Sequence, residues 1–288
     1  MTTIRDLLDE EVVEFPVHER SPVPGSPATP THGAATRLAY ALVAVLVGTT
    51  AGLSGALVSV NTLHLQQIMN LSAHQVAWLS TCYVMNAVSA NLLLIKVRQQ
   101  YGLRRFALAF LGLHAILALM LVFVPGLGTA LLVRAVSGFV AVALIPLCLF
   151  NMMQAFPARW RLRGLVLGIG VTQCAVPLAH VLSPSLLASQ GWRSLFLLEA
   201  GLALLSLVAV GMLRLPPAER VRVFHPLDLL TFALMGSGLA LIAAVLGLGR
   251  WEGWFQAPWI VASLFIAIPA LVAAGAIETS RRTPLLNL

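Results

Sequence analysis

Charge is what this sequence has least of. Only 10% of its 288 residues are Asp, Glu, Lys or Arg, while 59% are hydrophobic; an ordinary soluble domain carries about 25% charged residues. Mean hydropathy is +0.89. A sphere this apolar has too few polar groups to cover its own surface, which excludes a water-soluble globule and makes lipid the solvent. Negative charge is scarcer still. Six of the eleven acids lie in the first nineteen residues, none occurs between Arg20 and Leu198, and five follow. The net charge of +7 does not point to nucleic acid, because the arginines sit in short loops between apolar runs and form no basic face. Cysteine is also sparse. Cys82, Cys148 and Cys174 lie inside apolar stretches without metal or disulfide spacing, as small buried hydrophobes do. Glycine-rich phosphate loop, zinc-helix motif and nucleophile elbow are all missing. The expectation is no enzyme, no cofactor and no metal. No cleavable signal peptide is visible: residues 1–35 are acidic and then proline-rich (SPVPGSPATP), a disordered tail by composition.

What the sequence has in quantity is long apolar runs. Crossing a bilayer takes about 20 apolar residues in a helix, and eight such runs occur, at about 38–60, 76–95, 106–124, 128–150, 164–187, 195–213, 227–248 and 258–276. Backbone in lipid must satisfy its own hydrogen bonds, so the runs are predicted to be helices and the fold an all-α polytopic membrane protein. The expected organisation is a cytoplasmic tail over 1–37, a six-helix bundle over 38–213, a loop over 214–226, two additional spans over 227–276 and a cytoplasmic end over 277–288. Fifteen Lys and Arg fall on one side of this map, among them Lys96, Arg98, Arg104 and Arg105, against Arg193 and Arg250 on the other. The positive-inside rule then puts both termini in the cytoplasm of a cell (inner or plasma) membrane. Trp251, Trp254 and Trp259 cluster at an outer loop as an aromatic anchor.

The basic stretch KVRQQYGLRR carries more than charge. Its Tyr101-Gly102-Leu103-Arg104-Arg105 half resembles the G-x-L-x-D-R-x-G-R-R loop of the major facilitator superfamily, although Ile95 and Gln99 stand where the family has glycine and aspartate. LLVRAVSGFVAVALIPL is similar to the family's R-x-x-x-G pattern, with Arg134 and Gly138 in the matching places. GIGVTQCAVPLAHVLSPSLL resembles the antiporter signature of span five, with Pro177 on its first proline and His180 and Pro184 where glycine is usual. GWRSLF matches the W-R-x-x-F before span six. HPLDLLTFALMGSG, GLGRWEGWF and the closing TPLLNL look like the two extra helices of the fourteen-span drug:proton antiporter branch and the segment after them. The resemblance runs from about residue 38 to Leu288 and implies the first half of a transporter with its linker helices.

Arg134 is the most informative residue. It lies two turns into span four, where an arginine costs roughly 2.5–3.5 kcal/mol, and it either lines the substrate pathway, couples to proton movement, holds backbone carbonyls or snorkels toward the outer surface. Glu199 is the acid nearest spans one to six, a candidate partner or proton acceptor against an exposed interfacial reading. The resemblance places Ser54 where proton-coupled relatives often carry an acid, and a hydroxyl does not titrate near neutral pH. His114 and His180 are the intramembrane histidines that replace missing acids, with plain packing as the alternative. Asn61 and Gln173 are candidate cavity polar groups or helix–helix hydrogen bonders. Pro146, Pro177 and Pro184 are expected to interrupt helices, and Gly138, like Gly164, Gly168 and Gly170, to allow close helix approach, as a hinge or as packing. In the family the loop aspartate helps lock the two halves; with Gln99 in its place, Lys96, Arg98, Gly102, Arg104 and Arg105 are either an altered gate or a topogenic loop at the headgroups.

Two functions follow as expectations. One is a transporter, or half of one, that exports drug-like or other small organic solutes (multidrug efflux by antiport), takes proton coupling from the resemblance and works with a second half or another copy. The other is a truncated, non-transporting membrane protein or assembly subunit.

Overall fold

The computed structural model describes residues 32–123, 126–213, 215 and 226–281. The amino-terminal tail, the Pro125 and Pro216-Pro217 turns and the TPLLNL end lie outside the described residues.

All eight apolar runs lie on helices. These are α1 (Ala34–Val60), the short α2 (Thr62–Ile68), α3 (Ala73–Tyr101), α4 (Leu103–Val122), α5 (Leu127–Ala155), α6 (Arg161–Gln173), α7 (Ala175–Gln190), α8 (Arg193–Met212), α9 (Pro226–Glu252) and α10 (Pro258–Thr279). Seven helical segments are long and apolar enough to cross a membrane, with α6 and α7 counted as one segment over Arg161–Gln190. The predicted second span falls in α3, which has 29 residues but is not one of the seven, being interrupted by Ser80, Thr81, Asn86, Ser89 and Asn91. Its start is written in the sequence. Ser72 accepts from the Gln75 N–H while the Gln75 side chain accepts from the Ser72 N–H, a reciprocal capping box.

The predicted basic loop is a single residue. α3 runs through Lys96 and Arg98 to Tyr101, and α4 begins at Leu103. Gly102 turns the chain with φ 81° and ψ 157°, a conformation essentially reserved for glycine.

The three prolines behave differently from one another. α5 continues through Pro146 and α7 through Pro184, which corrects the expectation that each interrupts its helix. Only near Pro177 does the helix break, at Cys174, where the missing N–H of Pro177 leaves the Gln173 carbonyl without its intrahelical donor.

α1 and α5 form the centre of the bundle. α3 packs on α5, α4 on α8, and the α6–α7 pair on α1 and α5. α9 lies against α3, and α10 against α9, so the additional helices attach to the flank of the six-helix unit. Small residues set the closest approaches. A Cβ on Gly52 would lie 2.5 Å from the Thr172 carbonyl oxygen, and one on Gly48 2.6 Å from the Cys148 Sγ. Gly164 and Gly168 likewise press on α5, whereas a Cβ on Gly170 would meet nothing within 4 Å, so that glycine is no part of the packed face.

Candidate functional site

Among the described residues, the buried charged groups gather at two places. The first is the bundle interior, where Arg134 and Glu199 are each 1% exposed and His114 is 0% exposed. Two turns of α5 carry Arg134 to this depth. Its Nη1 donates to the Ser54 carbonyl oxygen of α1 at 2.9 Å, and its guanidinium carbon lies 4.4 Å from the centroid of the Tyr83 ring of α3. Gly138, one turn further along α5, makes that stacking feasible. A Cβ there would sit 2.1 Å from the Tyr83 carbonyl oxygen, so only glycine lets α3 come close enough to lay its ring on the arginine. The R-x-x-x-G spacing therefore has a physical reason: the two positions share one helix face.

Glu199 arrives from α8 and His114 from α4. His114 Nε2 is 3.2 Å from Glu199 Oε1, an ion-pair separation without the alignment of a hydrogen bond. The Ser54 hydroxyl neighbours both the Tyr83 phenol and the Glu199 carboxylate but is aligned with neither. Several atoms here have no protein hydrogen-bond partner: Arg134 Nε and Nη2, both Glu199 oxygens, His114 Nδ1 and the Ser54 hydroxyl. Buried polar groups normally find partners, so the cluster has unused capacity for water, a proton or a polar ligand group. A cavity of about 20 Å³ touches Arg134 and is walled by Val58, Leu65, Met69, Trp192 and Phe196. It has room for about one water. Glu199 is thus an interior residue, with its carboxylate near the Ser54 hydroxyl of α1.

The other candidates lie elsewhere. Gln173, Pro177, His180 and Pro184 are all exposed and follow one another at helical spacing along the outer face of α6 and α7. The Asn61 side-chain amide donates to the Leu57 carbonyl and the Ser183 hydroxyl, each at 2.7 Å, and thereby ties the end of α1 to α7.

The second polar gathering is at the basic end of the bundle. Lys96 is 5% exposed, and its Nζ lies 2.8 Å from Asp228 Oδ2. Arg281 Nη2 is 2.8 Å from Asp228 Oδ1, and Arg281 Nη1 is 3.2 Å from Glu278 Oε1. Arg104 Nη2 donates to the Gly211 carbonyl oxygen at 2.9 Å, a cation on the carboxyl-terminal turn of α8. Lys96 is therefore buried against α9, and Arg104 is half-buried on the end of α8. Sequence reasoning missed Asp228 and Glu278. The signal was present: a carboxylate inside an apolar run needs a cation, and a lysine one turn from the end of a span offers one.

Residues 40–286 match the family model described as Major Facilitator Superfamily. An uncharacterized MFS-type transporter of Mycobacterium tuberculosis (strain ATCC 25618 / H37Rv), Rv1250, is 26% identical over 189 residues, which cover 64% of this chain and 31% of the relative. The chain thus spans less than a third of that relative's length at matched positions. Apolar helices in bundle packing, the arginine–glycine pair in the fourth span and a family match over most of the length agree: the chain belongs to the Major Facilitator Superfamily, whose members are multi-pass membrane transporters of small molecules and not enzymes.

Proposed function

We propose that the chain is the first helical half, with two additional helices, of a proton-coupled exporter of drug-like organic solutes in the fourteen-span branch. It works in the cell membrane with both termini in the cytoplasm. The observation that carries the coupling is the enclosed Arg134–Glu199–His114 cluster beside Ser54. A carboxylate and an imidazole at ion-pair distance, in the field of a buried guanidinium with spare N–H groups, can gain and lose a proton without moving a net charge far through lipid. The cluster is buried, so solute contact falls to the exposed faces of the bundle. Gln173 and His180 face outward on a span of which 17% is buried, and polar groups facing hydrocarbon are costly. That face is completed by a second helical half or another copy of the chain, and the solute passes between the two.

The test is efflux from cells lacking other pumps, with the chain expressed alone and beside a candidate second half. Efflux should appear in at least one of these, and Arg134→Ala should abolish it while membrane insertion persists. Efflux at the unmodified rate in Arg134→Ala would remove the cluster from the mechanism. No efflux in any pairing would favour the non-transporting reading.

A further inference from the structure

We propose that α9 and α10 are a fixed extension of α3, welded on by a buried clamp of charged side chains, so that the additional helices move with the six-helix bundle as one body. A hinged linker would touch its neighbour over a small area and keep its charges in water. Here Asp228 takes Lys96 on one oxygen and Arg281 on the other, both at 2.8 Å, and Arg281 reaches Glu278 at 3.2 Å. The four side chains are at most 10% exposed. Each carboxylate has at least one cation within 3.2 Å, which makes its burial tolerable. Removing one member strands a buried charge, so the pairing resists being opened.

The attachment also continues along α3. In its middle, the Ser89 hydroxyl donates to the Gly236 carbonyl at 2.8 Å. Nearer the far end, Thr81 fills the space left by Gly247, where a Cβ would come within 2.6 Å of the Thr81 hydroxyl oxygen. At the far end, His74 pairs with Glu252, and the Trp78 and Trp259 rings lie 6.2 Å apart between centroids. Contacts at the two ends and the middle of a helix about 43 Å long prevent both sliding and swinging. Lys96 is thus a positioning residue that directs the basic segment toward the chain's own additional helices.

The arrangement is tested by a disulfide. A Cβ on Gly236 would lie 3.5 Å from the Ser89 Cβ, within the range a disulfide spans. Ser89→Cys and Gly236→Cys are introduced into the full chain with Cys82, Cys148 and Cys174 changed to alanine. Bridge closure in native membranes under mild oxidant is followed by loss of maleimide-labelled thiols after denaturation. The bridge should close quickly and nearly completely. Asp228→Ala should slow closure roughly tenfold or more, and Asp228→Asn and Lys96→Gln should slow it too, so the comparison survives if Asp228→Ala fails to accumulate. A bridge that does not close in the parent, or closes at the same rate in every variant, overturns the clamp. Where efflux is measurable, bridged and reduced chains should export equally, and arrest on bridging overturns the one-body movement. Absence of efflux in both would bear on the proposed function alone, since the closure rates decide the clamp without transport.

Discussion

At the residue scale, what a buried group is left without matters as much as what it touches. Arg134 has one hydrogen bond and one aromatic face for a guanidinium with five N–H donors, and Glu199 has a single ion-pair neighbour. If this unused capacity carries protons, Glu199→Gln and His114→Gln should each flatten the pH dependence of solute flux in vesicles, while His180→Gln, on the exposed face of α7, should leave it intact. An unchanged pH profile in the first two would detach the cluster from coupling. Glycines permit a sharper comparison. Gly138→Ala forces a methyl to within 2.1 Å of a backbone oxygen and should destabilise the purified protein by about 1–3 kcal/mol. Gly170→Ala meets open space and should be neutral or stabilise by up to about 1 kcal/mol through helix propensity. Thermal denaturation in detergent reads both.

At the scale of elements, connections carry much of the specification. The turn between α3 and α4 has one non-helical residue, so its geometry depends on Gly102 at φ 81°. Gly102→Ala should cost about 1–3 kcal/mol and lower the melting temperature, whereas Gln99→Ala one turn earlier, in ordinary helix, should not. Three prolines inside apolar runs look equivalent in one dimension. They differ in outcome: α5 and α7 run through Pro146 and Pro184 without a break, whereas the helix before Pro177 is interrupted at Cys174, next to Thr172, whose carbonyl Gly52 lets come close.

At the scale of the whole molecule, charge asymmetry supplies the orientation. If the basic end faces the cytoplasm, cysteines placed at Arg98 or Arg105 should react with impermeant maleimide only after cells are opened, and a cysteine at Gln67, beyond α1 near the opposite end, should react in intact cells. The reverse pattern would invert the map and every role that depends on sidedness. The charge that remains is mostly used up internally. Every described carboxylate (Glu199, Asp228, Glu252 and Glu278) has a lysine, arginine or histidine nitrogen within 3.2 Å, as a medium that hydrates no ions requires.

The amino-acid sequence alone determined the solvent and the helical character of the eight apolar runs, because lipid leaves the backbone one local solution and marks it with runs of apolar residues. It also pointed to Arg134, Gly138 and Glu199, since polar or minimal residues stand out against such a background. Tertiary structure alone decided who meets whom. That Glu199 of α8 stands beside Ser54 of α1, and that Lys96 reaches Asp228 across 132 positions, depends on the order in which helices pack. Helices of similar length and hydropathy can be arranged in many ways, and only side-chain fit at places such as Gly138 against Tyr83 selects one.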